Sequence, residues 1–227
     1  MKLDYAEVRH LLRRSRSGAL GSVSLAMPGF PFVSLLPYVL DEACRPLFLL
    51  SGLAEHTKNL LADPRASLLV AEGLGSVLEQ ARLTLLGTVE RVELDAPGRV
   101  RFLRYCPESE KLLALGDFAF FRMAPLKARF IGGFGRMGWM DATPMPHVLA
   151  PGEEAALLEV LARGAPAGLR VEGVDAEGLD IVAAGVSRRI DLTPTHTGLD
   201  ALLEAAVNGM ARAGLTMPAD PPAGMFA

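Results

Sequence analysis

Cysteine is scarce in this chain: Cys44 and Cys106 are the only two in 227 residues, and neither stands at a metal-ligand spacing from the other or from a histidine. A disulfide framework and a clustered-thiolate zinc site are therefore not indicated, and the pair reads as two reduced thiols of a cytosolic protein. Histidine is sparse too, with His10, His56, His147 and His196 far apart and none in an H-x-x-x-H pattern. A metal cluster is not expected from them, although an axial haem ligand needs only one imidazole. Charge of one sign is also missing. A formal net charge of -3 and a pI near 5.8, with both signs interspersed, offer no electrostatic footprint for nucleic acid or an anionic membrane. No stretch supplies about twenty uncharged apolar residues, so no spanning helix is expected. The opening "MKLDYAEVRHLLRRSRS" lacks the apolar run and cleavage site of a signal peptide, so a cytoplasmic location is expected. The strand-linked G-x-G-x-x-G fingerprint, the Walker loop and the G-x-S-x-G elbow are all missing, which argues against Rossmann, P-loop and α/β-hydrolase chemistry.

What the chain does have is apolar substance: half of its residues are hydrophobic, enough to bury one large or two modest cores, and two are favoured. Tyr5, Val8, Leu11 and Leu12 share one helical face behind a capping pair, Asp4 with Glu7, and Gly18 ends that helix. Three strands follow in "GALGSVSLAM", "FPFVSLLPYVL" and "PLFLL", parted by turn-forming "PGFP" and "DEACRP". Pro37 removes a ladder donor and marks an edge, a bulge or a ligand-facing site. "RASLLVAE" predicts a fourth strand, and "QARLTLLGTVERVEL" a long one bent near Gly87, after the glycine-rich loop "EGLGS". Two short helices broken at Pro107 precede the strands "FAFFRMAP" and "KARFIGGFGRMGWM".

Composition shifts at "DATPMPHVLAPGEE", which places a boundary between residues 1–145 and 146–227. The second part reads as a helix, an antiparallel three-stranded meander and a long helix, "GLDALLEAAVNGMARAG", with a loose tail after it. This is a small α+β domain.

The stretch "SGLAEHTKNLLADPRASLLV" concentrates polar groups where a strand gives way to a helix. The first amides of a helix lack internal partners and favour an anion, Thr57 can donate a hydroxyl bond, and Lys58 brings a full charge. A solvated helix start has the same composition, and His56 alone reads equally as a surface residue. "GGFGRMGW" similarly admits two readings. It is a bend that brings backbone, Arg136 and a stacking face from Trp139 or Phe134 to a flat ligand, or it is a barrel corner with core aromatics.

Taken together, Pro37-Tyr38, the run Ser51 to Asn59 and the late Gly132 to Gly135 resemble the flavin-binding split-barrel proteins related to pyridoxamine 5'-phosphate oxidase, most closely their haem-utilisation branch. "GVDAEGLDIV" with the final helix is similar to the small domain that commonly follows such barrels. The resemblance implies a six-stranded antiparallel split β-barrel of the FMN-binding type, followed by the small α+β domain, and a homodimer with two cofactor sites along its interface. It implies that Ser51, Thr57 and Lys58 hold the FMN phosphate, with His56 and Asn59 beside them. Backbone from Ser34 to Pro37 would border the flavin ring, and Arg82, Arg136 and Trp139 would reach the cofactor. The leading expectation is an FMN-dependent oxidoreductase of unknown substrate, since a bound flavin performs the electron transfer. The alternatives are a haem-binding protein or haem-degrading oxygenase of the same fold, and a non-catalytic tetrapyrrole carrier or regulator.

Overall fold

In a computed structural model the chain divides into two compact units, Met1–Pro146 and His147–Ala227. The structure describes residues 5–71, 79–132, 136–142, 149, 152–192 and 198–215. The expected cap Asp4, the loop "EGLGS", Phe134, His147, His196 and the expected tail lie outside them.

The first unit begins with helix α1 (Tyr5–Arg14), whose Val8, Leu11 and Leu12 are buried. Each such burial contributes about 1.5–3 kcal/mol, and this face seats the helix on the sheet. Glu7 in its first turn and Arg13 and Arg14 in its last oppose the helix dipole. Strands β1 (Ser17–Val23), β2 (Pro31–Pro37), β3 (Val39–Leu40) and β4 (Pro46–Ser51) follow, then helix α2 (Glu55–Ala62) and strands β5 (Arg65–Ala71) and β6 (Ala81–Arg91). Helices α3 (Ala96–Tyr105) and α4 (Ser109–Leu113) lead to β7 (Phe118–Gly132) and β8 (Met137–Asp141). Asp95 caps α3 by accepting from the Gly98 amide at 2.9 Å, and the chain breaks around Pro107 before α4 begins.

These strands form one antiparallel sheet in the order β2-β1-β5-β6-β7-β4-β3, with β8 pairing β7. The two ends of that path, β2 and β3, are separated along the chain by Tyr38 alone. The sheet therefore curls until its ends meet, which is the split barrel. Tyr38 is buried at the seam, where its hydroxyl donates to the Leu12 carbonyl at 2.8 Å and its ring meets Phe48 edge-on at 6.5 Å. Burial pushes its phenol far above the usual range. Leu20, Phe48, Leu68, Val70, Leu83, Leu85, Val89, Phe121 and Met123 fill the core against α1.

Two details differ from the sequence expectation of six strands. The expected strand over 30–40 divides at Tyr38, because its two halves pair with different neighbours, β1 and β4. The expected strands "FAFFRMAP" and "KARFIGGFGRMGWM" divide differently: the first and the start of the second are one 15-residue strand, β7, and the end of the second is β8. Pro125 cannot donate to a ladder, but it falls where the β6–β7 register shifts, between Leu86 and Gly87, so the strand continues through it. A Cβ on Gly87 would stand 2.1 Å from the Ala124 carbonyl oxygen, so only glycine fits that crossing.

The second unit contains helix α5 (Glu153–Gly164), strands β9 (Leu169–Asp175), β10 (Gly178–Ala183) and β11 (Val186–Asp191), and helix α6 (Leu199–Arg212). Its sheet is ordered β11-β10-β9, all antiparallel. Leu157, Leu161, Val171, Val174, Leu179, Ile181, Leu202, Leu203, Ala206 and Met210 form its core. One charge cluster is buried within this unit. The Arg189 guanidinium reaches Asp175 at 2.8 Å and Asp180 at 3.1 Å, with 2% of its side chain exposed. Burial opposes that positive charge, but the two carboxylates outweigh it and hold the guanidinium protonated. Gly178 leaves the necessary room, since a Cβ there would lie 2.5 Å from the Arg189 guanidinium carbon. Among the described residues no helix is long and apolar enough to cross a membrane.

Candidate functional site

The polar stretch of the sequence forms the exit of β4, the entry of α2 and the body of that helix. At the exit, Ser51 donates to the Asp117 carboxylate at 2.5 Å and accepts from the Leu53 amide at 3.1 Å, while the Gly52 amide donates to the Asp117 carbonyl at 2.8 Å. The chain is thereby pinned against the start of β7 before it turns into α2. That helix begins without a side-chain cap, and the extended residue Asp63, followed by Pro64, ends it.

Within α2 the four adjacent polar residues meet four different environments. His56 is half-buried, and its Nδ1 lies 3.2 Å from Ser34 Oγ on β2, which ties the helix to the barrel's edge strand. Burial lowers its pKa from the usual histidine value, favouring the neutral ring. Thr57 is buried at 2% exposure, and its hydroxyl oxygen has no hydrogen-bond partner. Lys58 is exposed and pairs with Glu55 at 2.8 Å. Asn59 is buried and engaged at both ends of its amide, accepting from the Leu25 backbone at 2.8 Å and donating to Ser22 Oγ at 3.1 Å. Its carboxamide clamps α2 to the end of β1.

The other expected site residues fall elsewhere. Pro37 is exposed at the end of β2, opposite Ser17. Arg82 and Trp139 stand on the outward face of the sheet, alternating with the inward Leu83 and with the strand positions that face the core. Trp139 is 58% exposed and pairs with Arg129, whose guanidinium carbon lies 5.7 Å from the indole centroid. Arg82 donates to the Gln80 carbonyl at 3.4 Å. That outward face also displays Val33, Leu35, Leu69 and Leu86, with Leu35 77% exposed. Arg136 is in neither group: it forms an ion pair with Glu7 of α1 and lines a separate cleft.

The structure thus joins Ser34 to His56 and puts Ser51, Thr57, Lys58 and Asn59 around the same helix entry, while Arg82 and Trp139 belong to the sheet's outer surface. Sequence reading missed Asp117, the anchor of the strand exit, and Ser22, the partner of Asn59. Neither has a local pattern, because each contact closes across dozens of residues. Among the described residues no three His, Cys, Asp or Glu side chains are placed to hold a metal ion.

A curled antiparallel barrel with a polar helix entry at its edge strand defines a split-barrel protein. Comparison with known proteins agrees: residues 5–132, more than half of the chain, match the pyridoxamine 5'-phosphate oxidase family, and the chain belongs to that family. It is 32% identical over 128 residues to a chloroplastic heme oxygenase of Arabidopsis thaliana, HOZ; the match covers 56% of this chain and 40% of that relative. Among solved structures it is similar to a heme binding protein from Mycobacterium smegmatis, with a TM-score of 0.58 and 26% identity over 94% of this chain and 99% of that one. A protein of unknown function from Agrobacterium tumefaciens shares the fold, with a TM-score of 0.67 and 19% identity over 92% of this chain and 94% of that one.

Proposed function

We propose that the barrel unit binds haem at the edge made by α2 and β2, that His56 would be the residue holding its iron, and that the protein handles or oxidises haem. The observation that carries this reading is the His56–Ser34 pair. A ligating histidine needs one ring nitrogen held by an orienting partner so that the other points at the metal, and it needs the ring neutral. In the tautomer this role requires, Nδ1–H donates to Ser34 Oγ at 3.2 Å and Nε2 would be left for the iron, and burial favours the neutral ring. Relatives named for haem support the same reading. When bound, haem supplies an iron centre at which dioxygen is activated, given an external electron donor. The chain's part is to fix the imidazole through Ser34 and to surround it with a half-buried edge.

FMN is the second reading, and one observation favours it. The buried, unpartnered Thr57 hydroxyl beside the uncapped start of α2, with Lys58 one residue on, is a donor set suited to phosphate. The fit is incomplete, because Ser51 and Asn59 are already engaged and the Thr57 oxygen is closed to solvent. A phosphate there requires α2 to shift. For both readings we propose a homodimer through the outward sheet face, where Val33, Leu35, Leu69 and Leu86 are exposed.

Titration of the full chain with haemin and, separately, with FMN tests the choice. Tight haemin binding with a histidine-ligand absorption signature, lost in His56→Ala and kept in His10→Ala, is expected. An unchanged signature in His56→Ala would remove His56 as ligand and direct the search to His147 and His196. Tight FMN binding without haemin binding would establish the second reading.

A further inference from the structure

The contact between Ser34 and His56 admits a second chemistry that iron binding does not use. Ser34 lies on β2 and His56 in the first turn of α2, both only partly buried, with Oγ and Nδ1 3.2 Å apart. A neutral imidazole carries one proton, and the position of that proton sets the direction of the bond. With the proton on Nδ1 the ring donates to Ser34. With the proton on Nε2, Nδ1 is the acceptor and the Ser34 hydroxyl donates to it. The second arrangement places a hydroxyl within hydrogen-bond reach of a base, which is the pairing that activates serine as a nucleophile.

The start of α2 adds donors for a developing negative charge. The Thr57 and Lys58 amides make the first bonds of the helix, both to the Ala54 carbonyl, and no side chain caps it. The Glu55 and His56 amides come before those bonds and have no acceptor within the helix. With the positive end of the helix dipole they favour an oxyanion at the residue that carries the imidazole.

We infer that in the haem-free chain Ser34 is a nucleophile for acyl transfer, with His56 as its general base and short-chain esters as the substrate class. Ser34 Oγ bonds to the acyl carbon while Nδ1 takes the hydroxyl proton, and the carbonyl π pair moves onto oxygen, facing the amides. That pair returns as the bond to the leaving alcohol breaks, and the alkoxide takes the proton from Nδ1. Water then repeats the sequence on the acyl-serine and frees the acid, so ester and water are the only reactants. Because both residues are partly exposed at the barrel's edge, the acyl group is small and the alcohol departs into solvent. This activity goes beyond haem binding and shares its imidazole, so the two exclude each other.

Diisopropyl fluorophosphate tests the nucleophile in the full chain: Oγ displaces fluoride at phosphorus, and mass spectrometry locates the product. A single label on Ser34 is expected, absent in Ser34→Ala and unchanged in Ser187→Ala. His56→Gln keeps a hydrogen-bonding side chain but cannot take the proton, and is expected to slow labelling, and the release of nitrophenolate from p-nitrophenyl acetate, about a hundredfold. Circular dichroism establishes that each variant is folded. No labelling of the folded chain, a label on another residue, or an equal rate in His56→Gln would each overturn the dyad. Prior addition of haemin separates this inference from the haem reading. Labelling of Ser34 blocked by haemin supports both, whereas labelling that persists with haemin bound supports the dyad and removes His56 from the iron.

Discussion

Two polar clusters, one in each unit, are built on opposite plans. In the second unit Arg189 is enclosed by Asp175 and Asp180, both terminal nitrogens are engaged, and only its Nε lacks a partner. At the α2 entry of the barrel the polar groups are more numerous and less closed: His56 uses one nitrogen, Thr57 none of its hydroxyl, and Lys58 an exposed partner that water competes for. A charge cluster that meets its own needs stabilises one arrangement of strands. A cluster with capacity left over is where a ligand can contribute. Density of polar residues is thus a poor guide to a site, and unused bonding capacity a better one.

Breaking the closed cluster has the largest expected effect. Arg189→Ala leaves Asp180 buried with its countercharge gone, and should destabilise the protein by about 3–5 kcal/mol. Chemical denaturation followed by circular dichroism measures this, and a loss below about 1 kcal/mol would mean that water reaches the site. Asn59→Ala tests the one α2 residue that behaves like the second unit's cluster. It strands the Leu25 amide and removes the bond that Ser22 Oγ accepts, leaving that hydroxyl its bond to the Phe32 carbonyl, and should cost about 2 kcal/mol. A loss of ligand affinity in this variant without a loss of stability would instead make Asn59 a ligand contact.

Lys58→Ala separates the clusters most sharply. Its pair with Glu55 is exposed on both sides, so stability should change by no more than about 0.5 kcal/mol. If FMN is the ligand, its affinity should fall by roughly 1.5–3 kcal/mol, the worth of one charge-assisted bond. Haemin affinity should not follow. The smallest effect concerns pH. Because burial lowers the His56 pKa below its unfolded value near 6.5, the unfolded chain binds the proton first as pH falls. Stability should therefore be complete above about 6.5 and decline as pH drops through the folded pKa, with the decline reduced in His56→Gln. The same slope in wild type and variant would place the titrating group elsewhere.

Legibility followed the range of the interactions. The apolar face of α1, the bend at Gly87 and the break at Pro107 rest on neighbours in the chain or on one residue's backbone limits, and each was visible in the letters. The split of β2 from β3 was not, because Tyr38 is an ordinary strand residue until two different partners take the halves on either side. Within the site, the concentration of donors from Ser51 to Asn59 was legible. Which of them are engaged was not, since Asn59 and Ser51 close their bonds on Ser22, Leu25 and Asp117, and His56 finds Ser34. Arg136 shows the limit most plainly: its glycine-rich motif admitted either a bend toward a flat ligand or a barrel corner, and only the fold shows it paired with Glu7.

By itself the sequence determined the order of strands and helices and a small α+β second unit, because hydrophobic period, turn residues and proline limits act locally and add along the chain; the split barrel it implied only through its resemblance to a family. Only the tertiary structure decided which polar groups keep bonding capacity. Burial and pairing depend on what the folded chain brings from a distance, and the order of the residues does not record it.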